Sequence, residues 1–466
     1  MAQFQMQVRK DRVPIGLLGA VALTTTLAGV SSPAKAVSFN FSYDEGTTLE
    51  QIVGFEMAGN IWSRYLQDDV TLNLHVGVSS DLPGKAVGGA LPGMQAYQSY
   101  EGFYDAIQQD RTSASDYTAA SHLQANRYSD GHLRYEGMFE SGSTWHNKNI
   151  TLTNANAKAL GLLDQNNSAL DGTILMGDLK GNGHKWNYDY GRDQSKSNGS
   201  LDFLSVALHE IGHNLGFVSG IDSAMRSDRQ ATYSENIDRL MKTTSLDMFR
   251  FSDYSEERGK VDLASGVRSY FSIDGGDTNL ADFARGKKDL GLGSDGFQGS
   301  HWKDQNNNQL GIMGPTIRRG EQREVKTLDL QALDVIGWDI NYNASFDLTT
   351  LETEAKQRVS QKMADHWGWD EAHASWIDHH IGNGENQLVG DWLSQDRDDD
   401  VSKMIQDSQV YEMGFSEWWQ EAFWQNAYNS TLSESDAVAV PEPSTVGFLG
   451  LAAFALKYLR HKQKAS

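Results

Sequence analysis

Cysteine is absent from all 466 residues. Disulfide scaffolds, zinc ribbons and thiol catalysis are thereby excluded, and any metal must sit on histidine and carboxylate ligands. Proline is scarce as well: of seven, only Pro83, Pro92 and Pro315 lie between residues 37 and 437. Positive charge is in short supply, with 40 basic residues against 62 acidic ones and a net charge of −22. That balance argues against nucleic acid or anionic lipid as the main partner. What remains, 39% apolar and 22% charged, is the composition of a globular chain. Its length suits two or three domains.

Both ends carry segments that look like addresses. Arg9, Lys10 and Arg12 precede an apolar run from Val13 to Val30, and Ala34-Lys35-Ala36 gives a small-x-small pattern. This is the layout of a secretory signal peptide over residues 1–36, cleaved after Ala36. An uncleaved membrane anchor is the competing reading, weakened by Pro14 and by Thr24, Thr25 and Thr26. At the other end Pro441-Glu442-Pro443 leads into an apolar stretch from Val446 to Leu456, followed by Lys457, Arg460, Lys462 and Lys464. Residues 438–466 resemble the PEP-CTERM sorting signal of Gram-negative bacteria. The resemblance implies transient membrane anchoring, recognition by exosortase-type sorting machinery, and delivery to the cell surface or extracellular matrix.

Between these ends the pattern is mixed. Phe39, Phe41 and Tyr43 alternate with polar residues, as do Leu72, Leu74 and Val76, and both read as strands. From Leu49 to Leu66 apolar residues recur at helical spacing, while Ile150–Leu152 and Thr173–Met176 read as further strands. The stretch from Ser79 to Ser143 gives no clear pattern. An α+β fold is expected. Beyond Tyr342 the composition shifts: Phe346–Val440 holds 5 basic and 19 acidic residues and seven of the twelve tryptophans. Leu351, Ala355, Val359 and Met363 have helical spacing, so residues 344–437 read as a small helical domain. Its indoles suit either core packing or glycan binding, since sugars stack on indole faces.

The chemistry concentrates in Leu208-His209-Glu210-Ile211-Gly212-His213-Asn214-Leu215-Gly216-Phe217, preceded by Leu201, Leu204 and Val206. On a helix His209 and His213 project from one face a turn apart, close enough to share one ion. Glu210 can reach water at such an ion without binding the ion itself, which is the content of the H-E-x-x-H motif. Gly216 stands where the helix must stop. A third protein ligand is required. The compact metzincin spacing puts Ser219 there, a poor ligand. Asp222 is the nearest carboxylate, and His301, His366 and the pair His379-His380 are the distant candidates.

Gly299-Ser300-His301-Trp302-Lys303, followed by Gly311-Ile312-Met313-Gly314-Pro315, bears on that choice. With the H-E-x-x-H-x-x-G-F helix these residues resemble the leishmanolysin-like metzincin zinc endopeptidases over about Phe39–Asn343. That resemblance implies His209, His213 and His301 as zinc ligands, Glu210 as general base, and Met313 as the methionine beneath the metal. It also implies a twisted sheet with an active-site helix and a mostly helical lower subdomain in residues 37–343. The helix Leu328–Ile336, ended by Gly337, fits the same outline. By the same analogy a peptide substrate lies along an edge strand, expected at Thr173–Met176; Tyr188 or Tyr190 could supply an oxyanion donor, though nothing in the sequence selects either. Three neutral imidazoles leave zinc its full charge, which lowers the pKa of bound water towards about 7.

Calcium is a second candidate ion. Asp396, Asp398 and Asp400 have loop-ligand spacing, but Val401 stands where such a loop needs glycine. Asp274-Gly275-Gly276-Asp277 and Asp304–Asn308 admit calcium or ordinary turn chemistry equally. The sequence thus leads to the expectation of an exported zinc metalloendopeptidase acting on protein or peptide. A surface adhesion or matrix protein on a peptidase scaffold is the alternative.

Overall fold

The computed structural model describes residues 36–407 and 437–439, apart from 81, 83–85, 140–141, 143, 181–182, 194–198, 222–242, 287–292 and 304–308. The signal-like segment before Ala36, Asp222, Asp304–Asn308, Trp418, Trp419, Trp424 and the apolar sorting run lie outside the described residues. The described residues fall within one compact unit. Among the described residues eleven helices and several small sheets give the expected mixed α+β fold.

The principal sheet has four strands in the order Ser38–Tyr43, Thr71–Ser79, Gly172–Gly177, Gly88–Pro92. The first three are parallel and the last is antiparallel to its neighbour. Phe39, Phe41, Leu72, Leu74 and Val76 are buried in the core, as their alternation requires. Thr173–Met176 is not the edge strand. It is paired on both sides, and the edge falls to Gly88–Pro92. A run buried on both faces belongs inside a sheet, whereas Pro92 has no amide to donate and is tolerated at an edge.

Against the sheet lies the helix Leu49–Tyr65, started by a capping box in which Thr48 and Gln51 exchange side-chain and backbone hydrogen bonds. Phe55 packs on Phe41 at 5.9 Å and edge-on to Phe203 at 5.5 Å, so it joins the sheet to the motif helix. Trp62 donates its indole N–H to the Leu208 carbonyl at 3.1 Å. The same helix receives the chain's later part. The segment after Phe346 is helical where described, in Leu348–Trp367, Ser375–Gly382, Asn386–Trp392 and Asp398–Asp407. Leu351, Ala355, Val359 and Met363 enter the hydrophobic core that holds the sheet. Buried Glu56 accepts hydrogen bonds from Lys362 at 2.7 Å, Tyr43 at 3.2 Å and Arg358 at 3.3 Å, tying that segment down.

The stretch without a sequence pattern folds into the edge strand, a strand Met94–Ser99 paired with Asn149–Thr153, and helices Tyr100–Asp110 and Ala114–His122. Among the described residues no helix is long and apolar enough to cross a membrane.

Candidate metal centre

The helix Phe203–Asn214 carries the motif. Asp202 caps it by accepting from the Ser205 amide at 2.8 Å and is itself paired with Arg192 at 3.1 Å. The helix ends as expected, with Gly216 at φ +121°. His209, Glu210 and His213 are all buried.

His301 arrives from a loop held on several sides. The Ser219 amide donates to the Ser300 hydroxyl at 3.0 Å, and the Ala284 amide donates to the His301 carbonyl at 2.9 Å. Buried Arg250 holds the Ala284 carbonyl at 3.0 Å. Trp302 fills the core behind the loop, 4.9 Å from the Phe217 ring and 5.1 Å from that of Phe283. Ser219, the residue at the compact third-ligand position, donates its hydroxyl to Asp247 instead.

The result is a triad of imidazoles. Nε2 of His209 lies 3.0 Å from Nε2 of His213 and 3.2 Å from Nε2 of His301. For comparison, bonds of 2.0–2.1 Å in a tetrahedral zinc site separate ligand nitrogens by about 3.3 Å. Proton positions follow from the outer partners. His209 Nδ1 faces the Ile312 carbonyl at 2.8 Å, and His213 Nδ1 faces the Phe217 carbonyl at 2.7 Å. A carbonyl can only accept, so each Nδ1 carries the proton and each Nε2 presents a lone pair to the centre. Burial, followed by the neighbouring imidazoles, pushes the pKa of both rings well below the usual histidine value and keeps them neutral. Lone pairs converging at this distance in a dry interior repel each other unless a cation lies among them. Among the described residues this is the one cluster of histidine and carboxylate groups with metal-ligating spacing, and His366, His379 and His380 are not part of it.

Met313 packs against the motif helix. A Cβ on Gly212, the residue before His213, would stand 2.5 Å from the Met313 sulfur, so only glycine lets the helix settle on the turn. Asp329 is the residue that sequence reading missed. Fully buried, it accepts from the Trp302 indole at 2.8 Å and from the amides of Ile312 at 2.9 Å, Met313 at 3.2 Å and Lys326 at 2.8 Å. One carboxylate thus joins the histidine loop, the methionine turn and the start of the helix Thr327–Asp334. In sequence it resembles any acid in a helix's first turn.

Above the motif helix runs the edge strand. A Cβ on Gly88 would lie 2.6 Å from a Val206 methyl and 3.1 Å from Glu210 Oε1, so the strand's backbone passes directly by the carboxylate. Tyr188 and Tyr190 are engaged elsewhere. The Tyr190 hydroxyl donates to the Glu50 carbonyl at 2.6 Å, and Tyr188 packs on Phe203 at the start of the motif helix. Two carboxylates of the described acidic turns have protein partners. Asp274 accepts from Ser272 and Thr278, and Asp400 pairs with Arg397 at the start of the helix Asp398–Asp407. No protein-family model, no curated protein and no solved structure matches the chain.

Proposed function

We propose that this chain is an exported zinc-dependent endopeptidase of the leishmanolysin-like metzincin kind. The observation that carries the reading is the convergence of three buried imidazoles, two with their protons turned outward, with Glu210 next to His209 on the same helix and Met313 packed against that helix at Gly212. His209, His213 and His301 would hold the metal, and their all-nitrogen, cysteine-free donor set suits zinc. When bound, zinc supplies a Lewis acid that polarises the scissile carbonyl and acidifies water. Glu210 accepts a proton from the attacking water and delivers it to the departing amine, while its buried surroundings keep bulk water away. The edge strand Gly88–Pro92, beside Glu210, receives an extended peptide as an added strand.

The test combines metal content with hydrolysis of an unfolded protein. Replacing Glu210 with Gln is expected to retain zinc and to lower turnover by about a hundred- to ten-thousand-fold. His301→Ala is expected to lose both zinc and activity. Turnover by Glu210→Gln at the parent rate sinks the peptidase reading; a full complement of zinc in His301→Ala sinks the ligand set.

A further inference from the structure

A second surface, independent of the metal centre, lies on the C-terminal helices. Four indoles touch in succession as a row, Trp376 edge-on to Trp369, Trp369 tilted against Trp367, and Trp367 edge-on to Trp392. Their ring centroids are 4.8, 4.4 and 5.1 Å apart in that order. Trp367 rests on the hydrophobic core and anchors the row. Trp369 and Trp392 remain 45% and 38% exposed, and Leu388, one turn before Trp392, is 48% exposed. Buried indoles are ordinary core; exposed ones braced by their neighbours offer flat, preordered apolar faces to a ligand.

The surroundings narrow the ligand. Hydrogen-bonding groups stand at the Trp376 end of the row and beside its inner ring Trp367. Glu371 pairs with His373 at 3.3 Å, and the His373 ring is 5.1 Å from Trp376. Glu385 pairs with His380, whose ring is 6.2 Å from Trp367. Between Lys362 and Arg397 the sequence has no lysine or arginine and seven carboxylates. An anionic ligand, whether acidic polysaccharide, nucleic acid or anionic membrane, is repelled by such a surface. Pyranose rings present apolar C–H faces for the indoles and a rim of hydroxyls for the carboxylate–imidazole pairs. We propose that this row is a binding platform for an oligosaccharide free of acidic groups, neutral or amino-bearing.

The experiment uses the full-length chain carrying Glu210→Gln, so that hydrolysis cannot interfere. Its tryptophan fluorescence is titrated with chitohexaose, with the deacetylated hexamer, and with a hyaluronate oligosaccharide of similar length. The first two are expected to bind saturably and hyaluronate not to. Trp369→Ala and Trp392→Ala are each expected to weaken binding by about tenfold, the effect of losing one stacked ring. Binding is expected to persist after chelation, which separates this result from any failure at the metal centre. Where an alanine variant melts early, Trp369→Tyr replaces it and is expected to bind, since a stacking face remains. No binding of either acid-free hexamer, equal binding of hyaluronate, or unchanged affinity in both alanine variants overturns the proposal.

Discussion

Each Nδ1 proton of His209 and His213 is committed to a backbone carbonyl, and that commitment aims two Nε2 lone pairs at one point. Glu210 is confined just as tightly, by the strand passing over it. Gly88→Val places atoms where Val206 and Glu210 already stand, so it must move the strand or the carboxylate. Zinc content is expected to stay at the parent level while kcat/KM falls about a hundredfold, the usual effect of an ångström-scale displacement. Parent-like kinetics would count against the strand's role at the base. His209, Glu210 and His213 were legible in the sequence because helical spacing is a local property. His301 and Met313 were legible only through a pair of short motifs. The Gly88–Glu210 approach was not, because nothing local marks a contact between a glycine-rich strand and a distant helix. The tyrosines misled for the reverse reason: a phenol suits oxyanion work, yet the Tyr190 hydroxyl is held by the Glu50 carbonyl.

Among elements, the informative case is the turn Gly311–Pro315, fixed from outside itself. Asp329, on the following helix, accepts two of the turn's amides as well as the indole beside His301. Asp329→Asn keeps the shape but replaces one accepting oxygen with a donor facing N–H groups. Zinc affinity is expected to drop about ten- to a hundredfold, as for other groups that orient metal ligands. Competition against a chelator of known affinity measures it, and an unaltered zinc affinity would remove Asp329 from the site. The strand assignments show where the sequence ran out. Phe39–Tyr43 and Leu72–Val76 alternate and were readable. Thr173–Met176 was readable as a strand but not as an inner one, since pairing depends on partners elsewhere in the chain. Gly88-Gly89-Ala90-Leu91-Pro92 has almost no strand propensity, and the sheet holds it through backbone pairing with Gly172–Gly177.

At the scale of the whole molecule, acidity becomes a property of the fold. Asp68, Asp110, Asp116, Asp334 and Asp339 gather where helix Ala114–His122 meets helix Thr327–Asp334 and the chain that follows it. Burial and then neighbouring carboxylates push Asp68 up to about 8 and Asp110 and Asp334 up to about 7. These groups hold protons in the native state that the unfolded chain releases near pH 4, so their contribution to stability is lost as pH rises through 7–8. His75, lowered to about 4 chiefly by burial, acts oppositely, but only below about pH 6.5. The melting temperature is therefore expected to fall between pH 6.5 and 8 at constant ionic strength, and Asp68→Asn to flatten that slope. A melting temperature that rises across the interval would refute the assignment. The segment after Phe346 was readable as helical, yet its sharing of the sheet's core was not, because periodicity tells which face is apolar and not what meets it.

The distance in sequence between the three histidines of the candidate metal centre has a temporal consequence. His301 follows His209 by 92 positions, and Asp329, which secures its loop, comes later still. A chain emerging from the ribosome, or threading N-terminus first through a pore, holds at most a histidine pair of this triad until nearly two thirds of its length is out. On the proposed reading, hydrolytic competence would arise only after residues 301 and 329 have emerged, so the order of the residues would itself delay activity.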